Sequence, residues 1–341
     1  MRKRWRIEPH DADRIARLER SAGVPPIVAQ LLLCRGVHDP EHVKTFLESK
    51  LTGLRDPDEL PGCAAAAERV HAAIRDKRKI VIYGDYDADG MTGTAILIIC
   101  LRLLGADVTY YVPNRLEEGY GLSDEALRTL ASRGAQLIIS VDCGIASINE
   151  AETAKSLGLE LIITDHHEFA ERLPEAAAIV HPRLPGHDYP FAGLCGAGVA
   201  FKLAWAICQR ASQSKKVSEP MRNFLLSAVG LAAIGTIADV VPLLDENRIL
   251  VTHGLKSLFS QPPLGIRKLL EVTKLHEKSS LDSENIAFMI APRLNAAGRF
   301  GQAQLAVELM TTDSEQRAQQ LAEYIHELNG SRDSLERSIM I

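Results

Sequence analysis

One stretch decides the fold: Lys79-Ile80-Val81-Ile82-Tyr83-Gly84-Asp85-Tyr86-Asp87-Ala88-Asp89-Gly90, a short aliphatic run that leads directly into a turn with three aspartates. Two further runs, residues 137–141 and 159–163, are equally short and aliphatic, and polar residues also follow them. Such runs predict buried parallel strands. Open α/β sheets bind ligands at the carboxyl ends of their strands, so the polar residues after these runs mark a candidate ligand site.

Predicted strands and helices alternate on both sides of this stretch, from residue 79 to about residue 181. The strands are predicted at 79–84, 107–112, 137–141, 159–164 and 177–180, and the helices at 92–104, 123–133 and 147–157. This alternation predicts an α/β fold, in which a parallel sheet carries helices on both faces.

The remainder of the chain has helical patterns. Residues 1–75 predict a helical N-terminal segment, and residues 191–312 a helical subdomain with one helix near 197–210 and another from Glu219 to Asp239. Residues 313–341 predict one long connecting helix that starts with a capping box of Asp313 and Gln316. We therefore divide the chain into 1–75, an α/β core at 76–190, a helical part at 191–312, and 313–341.

The composition bounds the class of protein. The 341 residues are 46% hydrophobic and carry a formal net charge of −5, which argues against a highly basic nucleic-acid coat. Acids that bind metal are counted in that charge, so a phosphate-rich substrate is not excluded. Six cysteines without ligand-like spacing predict reduced thiols and a cytoplasmic location. The apolar stretch 224–238 is shorter than the roughly 20 residues of a membrane span and predicts a buried helix.

Four clusters of acids and histidines carry the candidate chemistry. They contain Asp85, Asp87 and Asp89; Asp142; Asp165, His166 and His167; and Asp239. Carboxylate oxygens and imidazole nitrogens are ligands for Mg²⁺ or Mn²⁺. The aspartates of the first cluster could instead cap a helix or form a calcium loop, although Ala95 and Ile96 stand where an EF-hand needs glutamate. Asp142 alone could cap a helix, and Asp239 could be an exposed acid at a helix end. Together the clusters favour a two-metal phosphoesterase site.

The motifs resemble those of the DHH phosphoesterase superfamily, and within it the RecJ-type single-strand-specific 5′-to-3′ DNA exonucleases. The resemblance extends over nearly the whole chain, from Cys34-Arg35-Gly36-Val37 to Pro292-Arg293-Leu294-Asn295-Ala296-Ala297-Gly298-Arg299. It implies that Asp87 and Asp142 hold one metal ion and that Asp89, Asp142, His166 and Asp239 hold the second, with Asp142 bridging. It further implies that His167 contacts the scissile phosphate and that Asp85 and Asp165 are supporting acids.

The resemblance also implies a DNA-binding groove. Arg115 and Tyr120 match the segment that meets the 5′ region of the DNA, and Arg293, Asn295 and Arg299 would line the other side. One position departs from the superfamily pattern: Tyr83 stands where a histidine precedes the first metal-binding aspartate by four residues. A phenol is a poor metal ligand at neutral pH, since its unperturbed pKa is about 10. The first metal site is therefore expected to be weaker.

The expected activity is metal-dependent hydrolysis of single-stranded DNA from its 5′ end, which releases mononucleotides during DNA repair and recombination. Two Mn²⁺ or Mg²⁺ ions are the expected cofactors. Single-stranded DNA is the expected partner, together with a single-strand-binding protein and a helicase, and no membrane is expected. Two alternatives remain, a phosphodiesterase for small nucleotides or oligoribonucleotides and a non-catalytic replication scaffold.

RecJ-type proteins continue beyond the connecting helix into a second domain with a glycine- and histidine-rich motif, and no Gly-Gly-His stretch occurs in this chain. We therefore expect a core whose DNA groove is open on one side. An exposed apolar stripe of Leu328, Leu335 and Ile339 is expected to promote self-association.

Overall fold

The computed structural model describes residues 10–169 and 171–339, apart from the side chains of residues 333 and 335–339. It divides into two compact units, Met1–Leu54 and Arg55–Ile341. The boundary lies before helix Cys63–Arg75, which by its packing belongs to the second unit rather than to a helical segment that ends at residue 75. Of the apolar stripe predicted on the last helix, the side chains of Leu335 and Ile339 lie outside the described residues.

The first unit is a small helical cluster. Its helices are α1 (Ala12–Ala22), α2 (Pro26–Cys34) and α3 (Pro40–Glu48). Asp11 and Asp39 cap α1 and α3 by accepting backbone N–H groups of the first turn. The core of this unit consists of small and aliphatic side chains: Ile15, Leu18, Ala29, Leu32, Val37 and Val43.

The second unit is built on one parallel sheet, which confirms the predicted α/β fold. Within the described residues it has five strands in the order β2-β1-β3-β4-β5. The strands are β1 (Ile80–Gly84), β2 (Val108–Tyr111), β3 (Leu137–Val141), β4 (Glu160–Thr164) and β5 (Ala178–Val180). Each agrees within one residue with its predicted bounds at both ends. The central strands β1, β3 and β4 are short buried aliphatic runs, which have few alternatives to a strand, whereas β2 and β5 lie at the edges of the sheet.

Helices cover both faces of the sheet and continue beyond it. They are α4 (Cys63–Arg75), α5 (Ala88–Leu103), α6 (Asp124–Ser132), α7 (Ile148–Ser156), α8 (Gly196–Ser212), α9 (Glu219–Ala238), α10 (Asp245–Ser260), α11 (Leu264–Val272), α12 (Ser283–Asn285), α13 (Ala291–Arg299), α14 (Ala303–Thr311) and α15 (Glu315–Ile339). Helices α6 and α7 pack on one face through a core that includes Val81, Leu127, Ile138, Ala154 and Leu161. Helix α5 packs against β1 and also against α8 and α9.

Helix α9 is the apolar helix of the sequence analysis. Among the described residues, Glu219–Ala238 alone has the length and composition of a membrane span, and 61% of its apolar window is buried inside the fold. The core helix of a globular domain meets the same criteria, and α9 packs against α5, α8 and α10. Its last residue precedes Asp239, so this buried helix delivers an acid to a defined point of the fold.

Three local features differ from the predictions. Helix α5 begins at Ala88 rather than at residue 92, because the Asp87 side chain accepts the N–H groups of Asp89 and Gly90 and caps the helix. Helix α15 begins at Glu315, and the Ser314 hydroxyl accepts the Arg317 N–H at 3.3 Å, so the predicted capping box at Asp313 was wrong. A π-helix at Ile286–Ile290 was not predicted.

Candidate metal centre

The strand register brings four polar residues into one row. Gly84 pairs with Val141, Val141 with Thr164, and Thr164 with Val180. The next residue on each strand is therefore level with its neighbours, and these residues are Asp85, Asp142, Asp165 and His181. The row lies at the carboxyl edge of the sheet, where ligands bind in folds of this class.

Helix α5 adds two carboxylates to this row. Asp87 is its N-cap, with Oδ1 at 2.9 Å from the Asp89 nitrogen and 3.0 Å from the Gly90 nitrogen. Both oxygens of Asp89 accept N–H groups from the start of α8, at 2.6 Å from the Gly196 nitrogen and 2.8 Å from the Ala197 nitrogen. A carboxylate at a helix N-terminus is stabilised by the helix dipole. Asp89 is thereby held rigidly inside the site.

His166 lies among three carboxylates. Its Nε2 is 3.1 Å from Asp142 Oδ1, 3.7 Å from Asp89 Oδ2 and 3.7 Å from Asp239 Oδ2. Asp239 reaches this point from the end of α9. The structure thus brings together all four residues predicted for the second metal ion. An imidazole nitrogen with several carboxylate oxygens around one point is a donor set suited to Mn²⁺.

A second group of acids adjoins the first. Oxygens of Asp85, Asp87 and Asp142 lie within 4.8 Å of one another, so Asp142 belongs to both groups, as predicted for a bridging ligand. Asp142 Oδ1, Asp85 Oδ1 and His166 Nε2 are buried and have no hydrogen-bond partner among the described residues. Buried polar atoms are almost always paired, so these three indicate a cation between them. Asp142 also has a left-handed backbone, with φ at 64°.

The shifted pKa values in this cluster also indicate a bound cation. Burial and the nearby Asp87 raise the pKa of Asp85 to about 7 and that of Asp239 to about 6. Burial, with Asp89 and Asp87 nearby, raises the pKa of Asp142 well above its ordinary value. Burial lowers the pKa of His166 to about 4, so this imidazole is neutral at pH 7. Clustered acids and a neutral imidazole are unfavourable alone and become favourable around a divalent cation.

His167 is held differently from His166. Its Nδ1 lies 2.8 Å from Asp165 Oδ1 and 3.3 Å from the Tyr120 hydroxyl oxygen. The hydrogen bond to Asp165 raises the pKa of His167. Burial opposes ionisation of Asp165, but hydrogen bonds from His167 and the Ile145 N–H outweigh it and lower the pKa of Asp165. Since Nδ1 is engaged, Nε2 is the atom that His167 has left for a substrate.

Two residues that the sequence analysis missed hold the backbone of this histidine pair. His181 is fully buried, and its Nε2 donates to the His167 carbonyl oxygen at 2.9 Å. Its Nδ1 accepts the Arg183 N–H at 3.0 Å, while the Arg183 guanidinium donates to the His166 carbonyl oxygen at 2.5 Å. The signal for His181 was its place after the strand at 177–180, the same position that the acids occupy on theirs.

Tyr83 does not take part in either acidic group. It is completely buried in the core between the sheet and helices α6 and α7, and its hydroxyl donates to the Gly121 carbonyl oxygen at 3.0 Å. Its side chain therefore points away from both groups, and the expected weakness of the first metal site stays a prediction. Asp85, two residues after Tyr83, contributes a carboxylate oxygen to the group that contains Asp87 and Asp142.

The residues predicted to bind DNA have separate environments. Arg115 lies 5.1 Å above the ring of Tyr86, in the turn of residues 85–89 that we call the acidic turn. The Tyr120 hydroxyl donates to the Asp142 carbonyl oxygen at 3.2 Å. Arg293 Nε donates to His326 Nδ1 on α15 at 3.0 Å, and Arg299 is exposed at the end of α13. Asn295 accepts the Ala88 N–H at 2.7 Å. Their substrate roles stay predictions.

A buried ion pair fixes the segment after Asp239. Lys202 and Glu246 are both fully buried, with Lys202 Nζ at 2.5 Å from Glu246 Oε1. The same Lys202 atom donates to the Arg55 carbonyl oxygen at 2.6 Å, and the Tyr189 hydroxyl donates to Glu246. Asn247 Nδ2 donates to the Pro242 carbonyl oxygen at 3.1 Å. These contacts tie the chain between Asp239 and α10 to the α/β core.

Comparison with known proteins places this geometry in a family. Residues 79–234 match the family described as DHH family, N-terminal domain. The chain is 44% identical over 332 residues to the single-stranded-DNA-specific exonuclease RecJ of Bacillus subtilis, in a match that covers 97% of this chain and 40% of that protein. Against RecJ of Escherichia coli it is 37% identical over 349 residues, with 100% and 59% covered. The chain thus spans about half the length of these curated relatives.

Solved structures agree with the sequence matches. A crystal structure of exonuclease RecJ bound to manganese superposes with a TM-score of 0.73 at 41% identity, over 82% of this chain and 68% of that one. RecJ from Thermus thermophilus in complex with Mn²⁺ gives a TM-score of 0.81 at 34% identity, with 98% and 46% covered. With the row of polar residues at its sheet edge, the chain belongs to the RecJ exonuclease family of DHH proteins.

Proposed function

We propose that this chain hydrolyses phosphodiester bonds of single-stranded DNA from the 5′ end and uses two divalent cations, Mn²⁺ or Mg²⁺. The observation that carries the proposal is the convergence of Asp142 Oδ1 and His166 Nε2, which lie 3.1 Å apart. Both atoms are buried and have no hydrogen-bond partner in the part of the chain that the structure describes. A related structure holds manganese and two others hold Mn²⁺ and Mg²⁺, which supports the choice of cation.

In this proposal, the two acidic groups divide the ions between them. Asp89, His166 and Asp239 hold one ion, Asp85 and Asp87 the other, and Asp142 belongs to both. When bound, two such ions lower the pKa of a water molecule and stabilise the attacking and leaving oxygens of an in-line displacement. In this proposal Asp85 is a metal ligand, whereas the family resemblance implied that it is a supporting acid.

His167 contacts the scissile phosphate through Nε2. The hydrogen bond from Nδ1 to Asp165 fixes the ring and raises the pKa of His167, which keeps Nε2 able to donate a proton or hydrogen bond to a phosphate oxygen. Arg115 and Tyr120 approach the DNA from the segment beside the acidic turn, as a guanidinium for a phosphate and a ring for a base. Arg293, Asn295 and Arg299 are the residues predicted for the other side.

The names of the relatives support single-stranded DNA as the substrate. The 5′-to-3′ polarity, the release of mononucleotides, the role in repair and recombination, and association with a single-strand-binding protein and a helicase rest on the family resemblance. Because the chain spans about half of these relatives, each of them is a proposal about this chain.

The test compares four substrates in Mn²⁺: 5′-labelled single-stranded DNA, the same DNA as a blunt duplex, a dinucleotide and pyrophosphate. We expect labelled mononucleotide to appear first from the single strand and no cleavage by Asp142→Ala. Faster turnover of the dinucleotide or pyrophosphate would replace the proposal with a small-nucleotide phosphodiesterase. No turnover of any substrate by a chain that binds Mn²⁺ would favour a non-catalytic scaffold.

A further inference from the structure

Helix α13 is locked onto the acidic turn at two points. Asn295 Oδ1 accepts the Ala88 N–H at 2.7 Å, and one helical turn later Gly298 stands against the Tyr86 carbonyl oxygen. A Cβ at position 298 would lie 2.0 Å from that oxygen, so no larger residue fits without displacement of the backbone. Through these two contacts, α13 holds the turn between Asp85 and Asp89 from outside the α/β core.

The first contact completes the capping of α5. The first N–H groups of a helix have no partner inside it. Asp87 Oδ1 already accepts two of them, from Asp89 and Gly90. The N–H of Ala88 is left over, and Ala88 is 1% exposed, so water cannot serve as the acceptor. Its acceptor is the amide oxygen of Asn295, 207 residues further along the chain.

An acceptor from outside the acidic turn matters at this point because the other oxygens nearby are candidate metal ligands. Without the Asn295 amide, the buried Ala88 N–H would have to recruit a carboxylate oxygen of the same turn. A carboxylate oxygen that accepts the Ala88 N–H is no longer free to bind a cation. The new hydrogen bond would also move the side chain of Asp85 or Asp87. Groups that hold metal ligands in place commonly change metal affinity by about 10- to 100-fold when they are removed.

Helix α13 is itself anchored well enough to act as a support. Arg293 Nε donates to His326 Nδ1 on α15 at 3.0 Å, and Arg293 Nη1 donates to the Met289 carbonyl oxygen at 2.5 Å. Met289 lies in the π-helix, and Pro292 has no N–H to give to that segment. The guanidinium therefore fixes the start of α13, while Asn295 and Gly298 present its next turn to the metal centre.

We propose that Asn295 is a positioning residue of the metal centre, which keeps the carboxylates of Asp85 and Asp87 free for the cation by accepting the Ala88 N–H. The inference rests on the proposed metal-dependent function and deepens it. It differs from the predicted role of Asn295 as a DNA contact, because the amide oxygen that would be offered to substrate is already used within the protein.

The experiment measures Mn²⁺ binding by calorimetry in the absence of DNA. For Asn295→Ala we expect about tenfold weaker Mn²⁺ binding. Asn295→Asp keeps an oxygen that accepts the same N–H and adds a negative charge near the cation, so we expect binding at least as tight as in the parent chain. Asn223→Ala is the matched control, since Asn223 is exposed in the first half of α9, far along that helix from Asp239. It should leave Mn²⁺ binding unchanged.

Kinetics on single-stranded DNA at saturating Mn²⁺ separate the two roles of Asn295. A positioning role predicts a KM within about twofold of the parent for both variants, with Asn295→Asp the better enzyme. A DNA contact predicts that Asn295→Asp raises KM more than Asn295→Ala, because a carboxylate would face phosphate. That ranking, or unchanged Mn²⁺ affinity in Asn295→Ala, would overturn the inference. Absence of Mn²⁺ binding in the parent chain would instead overturn the proposed function.

Discussion

The Tyr83 hydroxyl donates a hydrogen bond to the Gly121 carbonyl oxygen at 3.0 Å, which ties the end of β1 to the end of the segment that carries Arg115 and Tyr120. The Tyr83 ring also packs at 5.2 Å from the Tyr111 ring, at the other end of that segment. One buried side chain on the strand that leads into the acidic turn thus holds both ends of the candidate DNA-binding segment.

Tyr83→Phe should loosen this segment without disturbing metal binding. The ring remains in the core, and loss of the hydroxyl leaves the Gly121 carbonyl without this donor, at a cost of about 1 kcal/mol in the free energy of unfolding. We expect a several-fold higher KM for single-stranded DNA and an unchanged Mn²⁺ titration. Tyr83→His should not tighten Mn²⁺ binding, and calorimetry that shows tighter binding would place residue 83 in the metal site after all.

Asp142→Ala should abolish Mn²⁺-dependent hydrolysis and leave the chain folded. The residue belongs to both acidic groups, and burial together with neighbouring acids raises its pKa. Removal of this carboxylate relieves repulsion in the metal-free protein. Alanine is strained at this left-handed position and offsets that gain, so we expect a Tm close to that of the parent in EDTA and little increase with Mn²⁺, while the parent gains several degrees. Thermal unfolding with and without Mn²⁺ checks both statements, and a parent-like gain in the variant would contradict them.

The metal-free protein should lose stability as the pH rises from about 4 to 7. The pKa of Asp85 is raised to about 7 and that of Asp239 to about 6, whereas unfolded aspartate titrates near 3.9. Between these values the folded state holds more protons, so the free energy of unfolding falls with increasing pH. The lowered pKa values of His166, His181 and His326 act in the opposite direction, but four carboxyls, those of Asp85, Asp89, Asp142 and Asp239, have raised pKa values.

Urea unfolding in EDTA at several pH values measures this slope. Asp239→Asn should make it shallower, because one raised carboxyl is removed. Calorimetry in buffers of different ionisation enthalpy should show proton release on Mn²⁺ binding at pH 6 that declines towards pH 8.5. A free energy of unfolding that increases steadily over this range would contradict the assignment of raised pKa values to the cluster.

Lys202→Met should be strongly destabilising, since the fully buried Glu246 loses its closer cationic partner, Lys202 at 2.5 Å, and keeps Arg55 at 3.4 Å. Loss of one member of a buried ion pair costs about 3–5 kcal/mol in the free energy of unfolding. Adding Glu246→Gln to Lys202→Met should recover part of that loss. The matched control is Lys215→Met, because Lys215 is 81% exposed in its ion pair with Asp56 and such pairs contribute about 0–1 kcal/mol. Equal effects of the two single substitutions in urea unfolding would contradict the role of Lys202.

Arg115→Ala should weaken DNA binding more than it slows hydrolysis of a small activated phosphodiester such as bis(p-nitrophenyl) phosphate. Arg115 touches the Tyr86 ring, and it does not belong to the acidic groups. We expect an approximately tenfold higher KM for single-stranded DNA, which corresponds to about 1.4 kcal/mol. Arg128→Ala, an exposed arginine on α6, serves as the control for loss of a positive charge. Equal losses on both substrates would move Arg115 to the reacting centre.

The sheet and most of the metal centre could be predicted because both depend on local sequence. Short aliphatic runs specify buried strands, and parallel strands in register must place the residues after them in one row. Asp142 and Asp165 follow directly from this rule, and the same rule would have found His181. Asp87 and Asp89 needed one step more, since the helix cap that begins α5 four residues early sets their positions.

The remaining features depend on contacts between distant parts of the chain. The direction of Tyr83 follows from alternation along β1 and from the partner that the Gly121 carbonyl offers, and a motif comparison contains neither. Arg293 and Asn295 were grouped by their place in one motif, yet the first binds α15 and the second binds α5. Side chains that are three positions or fewer apart on a helix can face different neighbours, and only packing reveals which.

The left-handed backbone of Asp142, with φ at 64°, limits what this position can become. Asparagine and glycine tolerate that conformation but carry no charge for two cations. Glutamate keeps the charge, but its side chain is longer. Asp142 Oδ1 already lies 2.5 Å from the position that a Cβ on Gly196 would take, so the site has little space for the extra length. In a library of every substitution at position 142, no variant should therefore combine a native backbone with a negatively charged bridging oxygen, so selection for activity should return aspartate alone.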